Sequence, residues 1–285
     1  MIHAFGCSFT RYLWPSWADL VNQIEPCTNY GRPGTGNKAI YTRLANALFT
    51  GKIQQRVDRV VVQWTGHTRY DLWQGPKQWL QLGNIWNQNH KTSPVSSDFL
   101  KNMWSDDDAL IQTLISVQAA AHLLNYHKIP YHFVFMNNLR SFELETGEHK
   151  LGPYPDMLDA HWKNFDRVNR SELSMMDWVK QSRKTRKPCL WQWSKDQPPT
   201  DDLHPEPWEA YTYAKKELGS VLRWNPEQWQ QLAGIAEQCQ QELHDYNRKD
   251  PTCLLLKTTN NPKWYPGSPV YKPEHIKYLR DQELI

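Results

Sequence analysis

The strongest strand signal in the sequence is Arg59-Val60-Val61-Val62-Gln63-Trp64. Its three valines favour extended backbone, and a short apolar run without alternation is typical of a strand that is buried on both faces. Similar runs occur at Ile2–Phe5 and Tyr131–Met136. Apolar residues between these runs recur at helical spacing. Strands that alternate with helices predict an α/β protein with a mostly parallel sheet.

The clearest helix begins after Ser105, which three aspartates follow. A serine N-cap accepts a hydrogen bond from an unpaired backbone N–H, and acidic residues complement the positive end of the helix dipole. The predicted core stripe of this helix is Leu110, Leu114, Val117, Ala121 and Leu124. We predict further helices after the glycine-rich loop Asn29–Asn37, after Pro205, and from about Pro226 to Tyr246.

The length of 285 residues allows one large domain or two small ones. We predict one domain over residues 1–247. It contains an irregular insertion at about 71–104 and an irregular or helical one at about 137–187. Residues 248–285 are rich in proline and are predicted to form an extended arm. That arm is a candidate docking segment for a second copy of the chain or for a virion partner.

The charge balance, the hydropathy pattern and the cysteine spacing exclude several classes of protein. Lys+Arg 33 against Asp+Glu 30 leaves a net charge of +3, so no strong field favours nucleic acid or a membrane surface. No apolar run approaches the length of about 20 residues that a bilayer span needs, and no signal peptide is recognisable. We therefore expect a cytoplasmic protein. The five cysteines form no CxxC pair, so we expect a reducing compartment and no zinc or disulfide scaffold. The histidines show no metal-ligand spacing, so we expect no metal.

Ser8 follows the first predicted strand, in the stretch Gly6-Cys7-Ser8-Phe9-Thr10. Functional residues of parallel α/β sheets collect at the carboxyl ends of the strands. Backbone N–H groups at such a turn suit an anion, or a nucleophile whose developing oxyanion needs donors. The alternative is that Ser8 only caps the following helix.

The second candidate stretch is Asp201-Asp202-Leu203-His204-Pro205. A carboxylate beside an imidazole fixes its tautomer and stabilises the imidazolium that forms when the ring takes a proton. The alternative is an ordinary helix start. A nearby basic run, from Lys180 to Lys187, is interpreted as a solvated loop.

Together these stretches resemble the SGNH (GDSL-like) hydrolase family. Gly6–Thr10 looks like its GDS-type first block, with Cys7 in the usual place of Asp. Residues 29–37 look like the second block, and Asp201-x-x-His204 looks like the fifth. Val61–His67 lies where the third block belongs, but its Asn is absent. The third-block form Trp64-Thr65-Gly66-x-x-Arg69 is similar to that of phage-encoded members, which would place the protein in a virion.

The resemblance implies a three-layer α/β/α sandwich and a serine hydrolase that needs no cofactor. Ser8 would be the nucleophile, His204 the base and Asp201 its orienting acid, with Asp202 as the alternative acid. Backbone N–H groups of Ser8 and Gly34 would bind the oxyanion. His67 takes the position of the missing Asn, and Thr65 or Arg69 are the alternative donors.

Fifteen of the residues are Trp, and several follow the third block directly. Trp73, Trp79 and Trp86 alternate with Gln and Asn, so they can offer stacking faces and amide hydrogen bonds to a sugar. We predict that these tryptophans and Asn37 bind substrate. The alternative is that the tryptophans anchor an insertion to the core.

These features favour an esterase that removes acetyl groups from a carbohydrate. Two alternatives stay open. One is a binding or structural module, such as a virion component, on a degenerate hydrolase scaffold. The other is an acyltransferase on the same triad, with a sugar hydroxyl in place of water.

Overall fold

The computed structural model describes residues 1–12, 14–74, 78–87, 95–140, 155–185, 190–191 and 200–249. The strands are β1 (Ile2–Phe5), β2 (Cys27–Asn29), β3 (Arg59–Trp64), β4 (Arg69–Gln74), β5 (Gln78–Asn84), β6 (Tyr131–Phe135), β7 (Leu190–Trp191) and β8 (Thr200–Asp201). The helices are α1 (Trp17–Val21), α2 (Asn37–Phe49), α3 (Ser97–Asn102), α4 (Asp106–Tyr126), α5 (Pro155–Phe165), α6 (Met175–Ser182), α7 (Pro207–Glu217), α8 (Gly219–Leu222) and α9 (Pro226–Lys249).

The chain forms two compact units that alternate along the sequence. The first contains Met1–Thr10 and Tyr30–Met175, and the second contains Arg11–Asn29 and the chain from Met176 onward. The predicted domain over residues 1–247 therefore contains two units. Nearly all of the predicted arm over residues 248–285 lies outside the described residues, which end at 249.

In the first unit, β3 lies between β1 and β6, and both pairings are parallel. Ala4 is opposite Val61, and Val62 is opposite Phe133. The three strands are those that the apolar runs predict. The predicted α/β class with a mostly parallel sheet is confirmed.

Both faces of this sheet are buried. One face contributes Phe5, Val60, Val62, Trp64 and Phe133 to a core that also contains Ile40 and Leu44 of α2 and Leu110 and Leu114 of α4. The alternate positions Ala4, Val61, Gln63, His132 and Val134 are at most 5% exposed. Burial on both faces is what the predicted three-layer class requires.

Helix α4 follows its predicted pattern closely. The Ser105 hydroxyl accepts a hydrogen bond from the Asp108 N–H at 3.2 Å, and acidic residues fill the first turn. All five residues of the predicted core stripe are buried. Helix α4 packs against α2 and α5. The N-cap and the buried face of α4 are therefore those that the sequence predicts.

The prediction that residues 71–104 are irregular is wrong for the described part of this segment. Strands β4 and β5 form an antiparallel hairpin, which a 3-10 turn at Ile85–Asn87 and helix α3 follow. The missed signal is the polar–apolar alternation of Arg69-Tyr70-Asp71-Leu72. Low β-propensity of the interspersed Gln and Asn residues obscures that alternation.

The hairpin docks onto the start of α2 through Asp71. Its carboxylate accepts hydrogen bonds from the N–H groups of Gly36 (2.9 Å) and Ala39 (3.3 Å). A Cβ on Gly36 would lie 2.6 Å from the Arg69 carbonyl oxygen, so only glycine allows this approach. Gly36, the N-cap of α2, has no side chain that could accept these hydrogen bonds, so the Asp71 carboxylate caps the helix instead.

The second unit is mainly helical. Helix α7 packs against α1 and α9, and α1 also packs against α9. The predicted helices after Pro205 and from about Pro226 are therefore present, as α7 and α9.

The segment predicted as irregular or helical at 137–187 contains α5 and α6. Strands β7 and β8 pair antiparallel over two residues each.

Two buried histidines on the sheet make stability sensitive to acid. Burial lowers the pKa of His3 despite its contact with Asp58, and burial also lowers the pKa of His132 despite its contact with Asn169. The folded state therefore resists protonation, while histidines in the unfolded chain take protons near their ordinary pKa of 6.5. We expect the free energy of unfolding to fall as the pH drops below 6.5, by at most about 1.4 kcal/mol per pH unit for each histidine.

Urea unfolding at pH 8, 6.5 and 5 measures this dependence. His132→Asn should lower the stability at pH 8 but flatten the loss between pH 6.5 and 5. An unfolding free energy that stays constant from pH 8 to 5 would contradict the expectation.

Candidate functional site

Ser8 lies in a tight turn at the carboxyl end of β1, and its side chain is almost fully buried. The turn is closed by the Thr10 N–H, which donates to the Cys7 carbonyl at 3.0 Å. The Thr10 hydroxyl donates to the Gln63 amide oxygen at 2.9 Å and so holds the turn against β3. A Cβ on Gly6 would overlap Thr10, which explains the glycine.

The alternative that Ser8 caps the next helix is wrong. Helix α1 begins only at Trp17, and its N-cap is Ser16. The backbone N–H and the hydroxyl of Ser16 both donate to the Asp19 carboxylate, at 3.0 and 2.8 Å. Ser8 is therefore free of a capping role and keeps its position at a strand end.

Asn37 has a structural role where substrate binding was predicted. Its amide N–H₂ donates to the Thr65 carbonyl and to the Thr113 hydroxyl, both at 3.0 Å. Its amide oxygen accepts from the Thr65 N–H at 2.9 Å. Because both amide hydrogens are used, Asn37 fixes the end of β3 against α2 and α4. A buried amide with all its donors satisfied has none left for a substrate.

The third-block residues provide donors close to Ser8. Arg69 Nη2 donates to the Ser8 Oγ at 3.4 Å and also contacts the Met136 sulfur at 3.5 Å. The Thr65 hydroxyl donates to the same sulfur at 3.5 Å. Among the predicted oxyanion donors, Arg69 is thus the one for which the structure gives a contact to Ser8.

His67 is buried and favours the neutral imidazole. Burial lowers its pKa, although the charges of Asp106 and Asp107 oppose this shift. A neutral imidazole keeps one N–H to donate. Gly34, the other predicted donor, has φ of 74°, a left-handed conformation that glycine adopts without strain. Its carbonyl accepts from the Gly83 N–H at 3.1 Å, which joins this loop to the hairpin.

In the second unit, His204 is bound to Asp202. The Nδ1 of His204 lies 2.6 Å from Asp202 Oδ1, and the His204 backbone N–H donates to the same oxygen at 2.9 Å. Burial alone would raise the pKa of Asp202. The charge and hydrogen bonds of His204 and the Tyr12 hydroxyl outweigh burial, and the pKa is lowered. Because the carboxylate is ionised, Nδ1 carries the proton and donates, which leaves Nε2 with the lone pair of a base.

The DxxH spacing favours Asp201 as the partner of His204. Asp201 is the last residue of β8, and its side chain lies outside the described residues. The carboxylate that contacts His204 in the described chain belongs to Asp202, the alternative acid. The chain turns tightly between Asp202 and His204. As a result, one carboxylate oxygen of Asp202 contacts both the backbone N–H and the ring Nδ1 of His204.

Sequence reasoning missed Tyr12. Its ring stacks on the His204 imidazole with a centroid distance of 3.6 Å and an interplanar angle of 9°. Its hydroxyl donates to Asp202 Oδ2 at 2.6 Å. Trp14 packs edge-on against Tyr12 and donates its indole N–H to the Pro205 carbonyl at 2.7 Å. Tyr12 is 190 residues from Asp202 along the chain, so no local pattern could reveal this contact.

Arg183 was also misread, because the basic run that contains it was interpreted as solvated. Its side chain is 6% exposed and forms two hydrogen bonds with Glu209, at 2.9 and 2.8 Å. The guanidinium also donates to the carbonyls of Asp202 (2.6 Å) and His204 (3.1 Å). Arg183 therefore holds the backbone of the Asp202–His204 turn through these two carbonyls.

Removing this clamp should be costly. Arg183→Gln leaves the Glu209 carboxylate buried without its cation, which costs about 3–5 kcal/mol of unfolding free energy. Lys184→Gln, an exposed neighbour in the same basic run, is the matched control and should change stability little. Urea unfolding of both variants measures the difference. Equal and small losses would show that Arg183 does not hold the turn.

The predicted sugar-binding tryptophans are only partly described. Trp73 lies opposite Trp79 in the β4–β5 register, and their side chains lie outside the described residues. Trp86 is 48% exposed, and its indole N–H donates to Asp106 at 3.3 Å. A cavity of about 480 Å³ lies nearby on β4 and α3. It is lined by Tyr70, Leu72, Val95, Ser96, Asp98, Phe99, Asn102 and Met103.

Within the described part of the chain, no group of three or more His, Cys, Asp or Glu side chains could hold a metal ion. None of the helices described above combines the length and apolar character needed to cross a bilayer.

No protein-family model and no curated protein sequence matches this chain. Two solved structures assigned to the lipolytic G-D-S-L family are similar in backbone. One, from Desulfitobacterium hafniense DCB-2, has 12% identity and a TM-score of 0.37, over 71% of this chain and 92% of that chain. The other, from Veillonella parvula DSM 2008, has 12% identity and a TM-score of 0.39, over 75% and 96%.

Proposed function

We propose that this protein is a serine ester hydrolase of the SGNH type, with Ser8 as nucleophile, His204 as base and Asp202 as orienting acid. The observation that carries the proposal is the contact of 2.6 Å between Asp202 and His204 Nδ1. A buried, ionised carboxylate in this position prepares Nε2 to accept a proton. Ser8, at the carboxyl end of β1, is the hydroxyl that the sequence pattern pairs with this base.

The proposed reaction is acyl transfer in two steps. The Ser8 Oγ attacks the ester carbonyl carbon while its proton passes to His204 Nε2. The tetrahedral intermediate collapses, the ester C–O bond breaks, and the alcohol leaves with the proton from His204. Water, deprotonated by His204, then attacks the acyl-enzyme. The bond between the acyl carbon and Ser8 Oγ breaks, the proton returns from His204 to Oγ, and the carboxylic acid is released. Backbone N–H groups of Ser8 and Gly34, together with Arg69 or His67, would stabilise the oxyanion.

We further propose an acylated carbohydrate as the substrate. The exposed Trp86 and the aromatic cavity between β4 and α3 support this, because sugars bind on aromatic faces rimmed by carboxylates and amides. The experiment is acetate release from acetylated glycans, compared with 4-nitrophenyl acetate at equal concentration. Release from a glycan at higher kcat/KM than from the simple ester supports the carbohydrate. Turnover of the simple ester alone would leave the esterase and exclude this substrate class.

A binding module on the same scaffold is the competing function. The missing third-block Asn favours it, since losing one oxyanion donor costs about 10²–10³ in kcat. It predicts glycan binding by isothermal titration calorimetry without any acetate release. Catalytic turnover that depends on Ser8 would exclude it.

A further inference from the structure

Arg69 and Arg183 differ in how their charges are compensated. The guanidinium of Arg183 is neutralised by two hydrogen bonds with Glu209. Within the described ranges, no carboxylate lies at ion-pair distance from Arg69. Its Nη1 is closed to solvent and has no hydrogen-bond partner there. A donor that is closed to solvent costs free energy when it has no hydrogen-bond partner.

The surroundings of Arg69 do not supply a dedicated anion. Asp71, two residues along β4, interacts with Arg69 through its charge, but its carboxylate is hydrogen-bonded to the N–H groups of Gly36 and Ala39. Burial raises the pKa of Asp71 against both influences, so this carboxyl group is not a dedicated counter-ion. Asp106 and Asp107 act on His67 through their charges, but neither pairs with Arg69. The hydroxyl of Ser8 is a neutral acceptor. The positive charge beside Ser8 is therefore left for a ligand.

We infer that Arg69 binds a permanent anion of the substrate, so that the preferred ester carries a carboxylate or phosphate close to the scissile bond. The inference rests on the proposed function and names its substrate class. A transient oxyanion would compensate Arg69 only during turnover, whereas a substrate anion compensates it in the bound ground state. The distance of 3.4 Å between Arg69 Nη2 and Ser8 Oγ keeps that anion next to the reacting carbonyl.

Paired esters test this specificity. The 4-nitrophenyl monoester of succinic acid carries a free carboxylate, and 4-nitrophenyl valerate is a neutral ester of similar length. In Arg69→Gln, the ratio of their kcat/KM values should fall by about ten- to a hundredfold, the worth of a hydrogen bond to a charged group. Arg69→Lys keeps the charge and should keep part of the preference. Arg140→Gln, an exposed arginine that pairs with Asp166, is the control and should leave the ratio unchanged.

Anion binding is measured separately in a chain that cannot turn over. Inorganic phosphate, at constant ionic strength against chloride, should raise the Tm of Ser8→Ala but not that of Ser8→Ala/Arg69→Gln. Equal losses for both esters in Arg69→Gln, without any phosphate effect, would mean that Arg69 serves the transition state alone, and the inference would fall. A phosphate effect through Arg69 in a protein that hydrolyses neither ester would keep the anion site and overturn the proposed function instead.

Discussion

Ser8→Ala is expected to abolish ester hydrolysis, with kcat falling about 10⁶-fold, because no other group replaces a missing nucleophile in a triad. The stability of this variant should barely change. The one hydrogen bond that the structure gives the Ser8 hydroxyl is the long contact of 3.4 Å from Arg69. The measurement is the rate of 4-nitrophenyl acetate hydrolysis at saturating ester, with the Tm recorded for the same preparation.

Ser171→Ala is the matched control for this experiment. Ser171 is also buried in the first unit, and its hydroxyl lies 2.9 Å from His132 Nε2. Its loss removes a buried hydrogen bond and should lower the Tm, while kcat stays within about twofold of the parent value. If Ser8→Ala retains full hydrolysis, Ser8 is not the nucleophile.

Asp202→Asn is expected to lower kcat by about 10⁴-fold, because an amide in place of the carboxylate can stabilise the wrong tautomer of His204. Asp201→Asn should leave kcat nearly unchanged. The two substitutions are chemically identical and lie side by side, so their comparison separates the orienting acid from its neighbour. The measurement is kcat and kcat/KM for one ester across pH 5 to 9.

The pH profile adds an independent test of the same pair. Asp202→Asn should lower kcat/KM at every pH in this range, because the contact of 2.6 Å between its carboxylate and His204 Nδ1 is lost throughout. A large loss in Asp201→Asn with an active Asp202→Asn would assign the orienting role to Asp201 and contradict the geometry.

The sheet could be predicted from the sequence because each of its strands carries its own signal. Val60, Val61 and Val62 are β-branched and continuous, and a strand buried on both faces needs no alternation. Helix α4 could also be predicted from the sequence, since Ser105 is a typical N-cap and the apolar residues after it recur at helical spacing. The β4–β5 hairpin was not, because its strands depend on contacts with a distant loop, such as that of Asp71 with Gly36.

The candidate site also contains some residues with a local sequence signal and others without one. Ser8 and His204 could be selected as candidates from the sequence because each has a short motif beside an element boundary. The choice between Asp201 and Asp202 depends on the shape of a two-residue turn, which spacing alone does not give. Tyr12 and Arg183 contribute through contacts at 190 and 19 residues of separation from Asp202. Such contacts arise only when the chain is folded.

The most direct test of the account is labelling of the purified protein with a fluorophosphonate, followed by mass spectrometry of the modified peptide. We predict one adduct per chain, on Ser8, and its loss in both Ser8→Ala and His204→Ala. This result would show a serine that His204 activates. A folded protein that takes up no label, or carries it on a serine other than Ser8, would contradict the account.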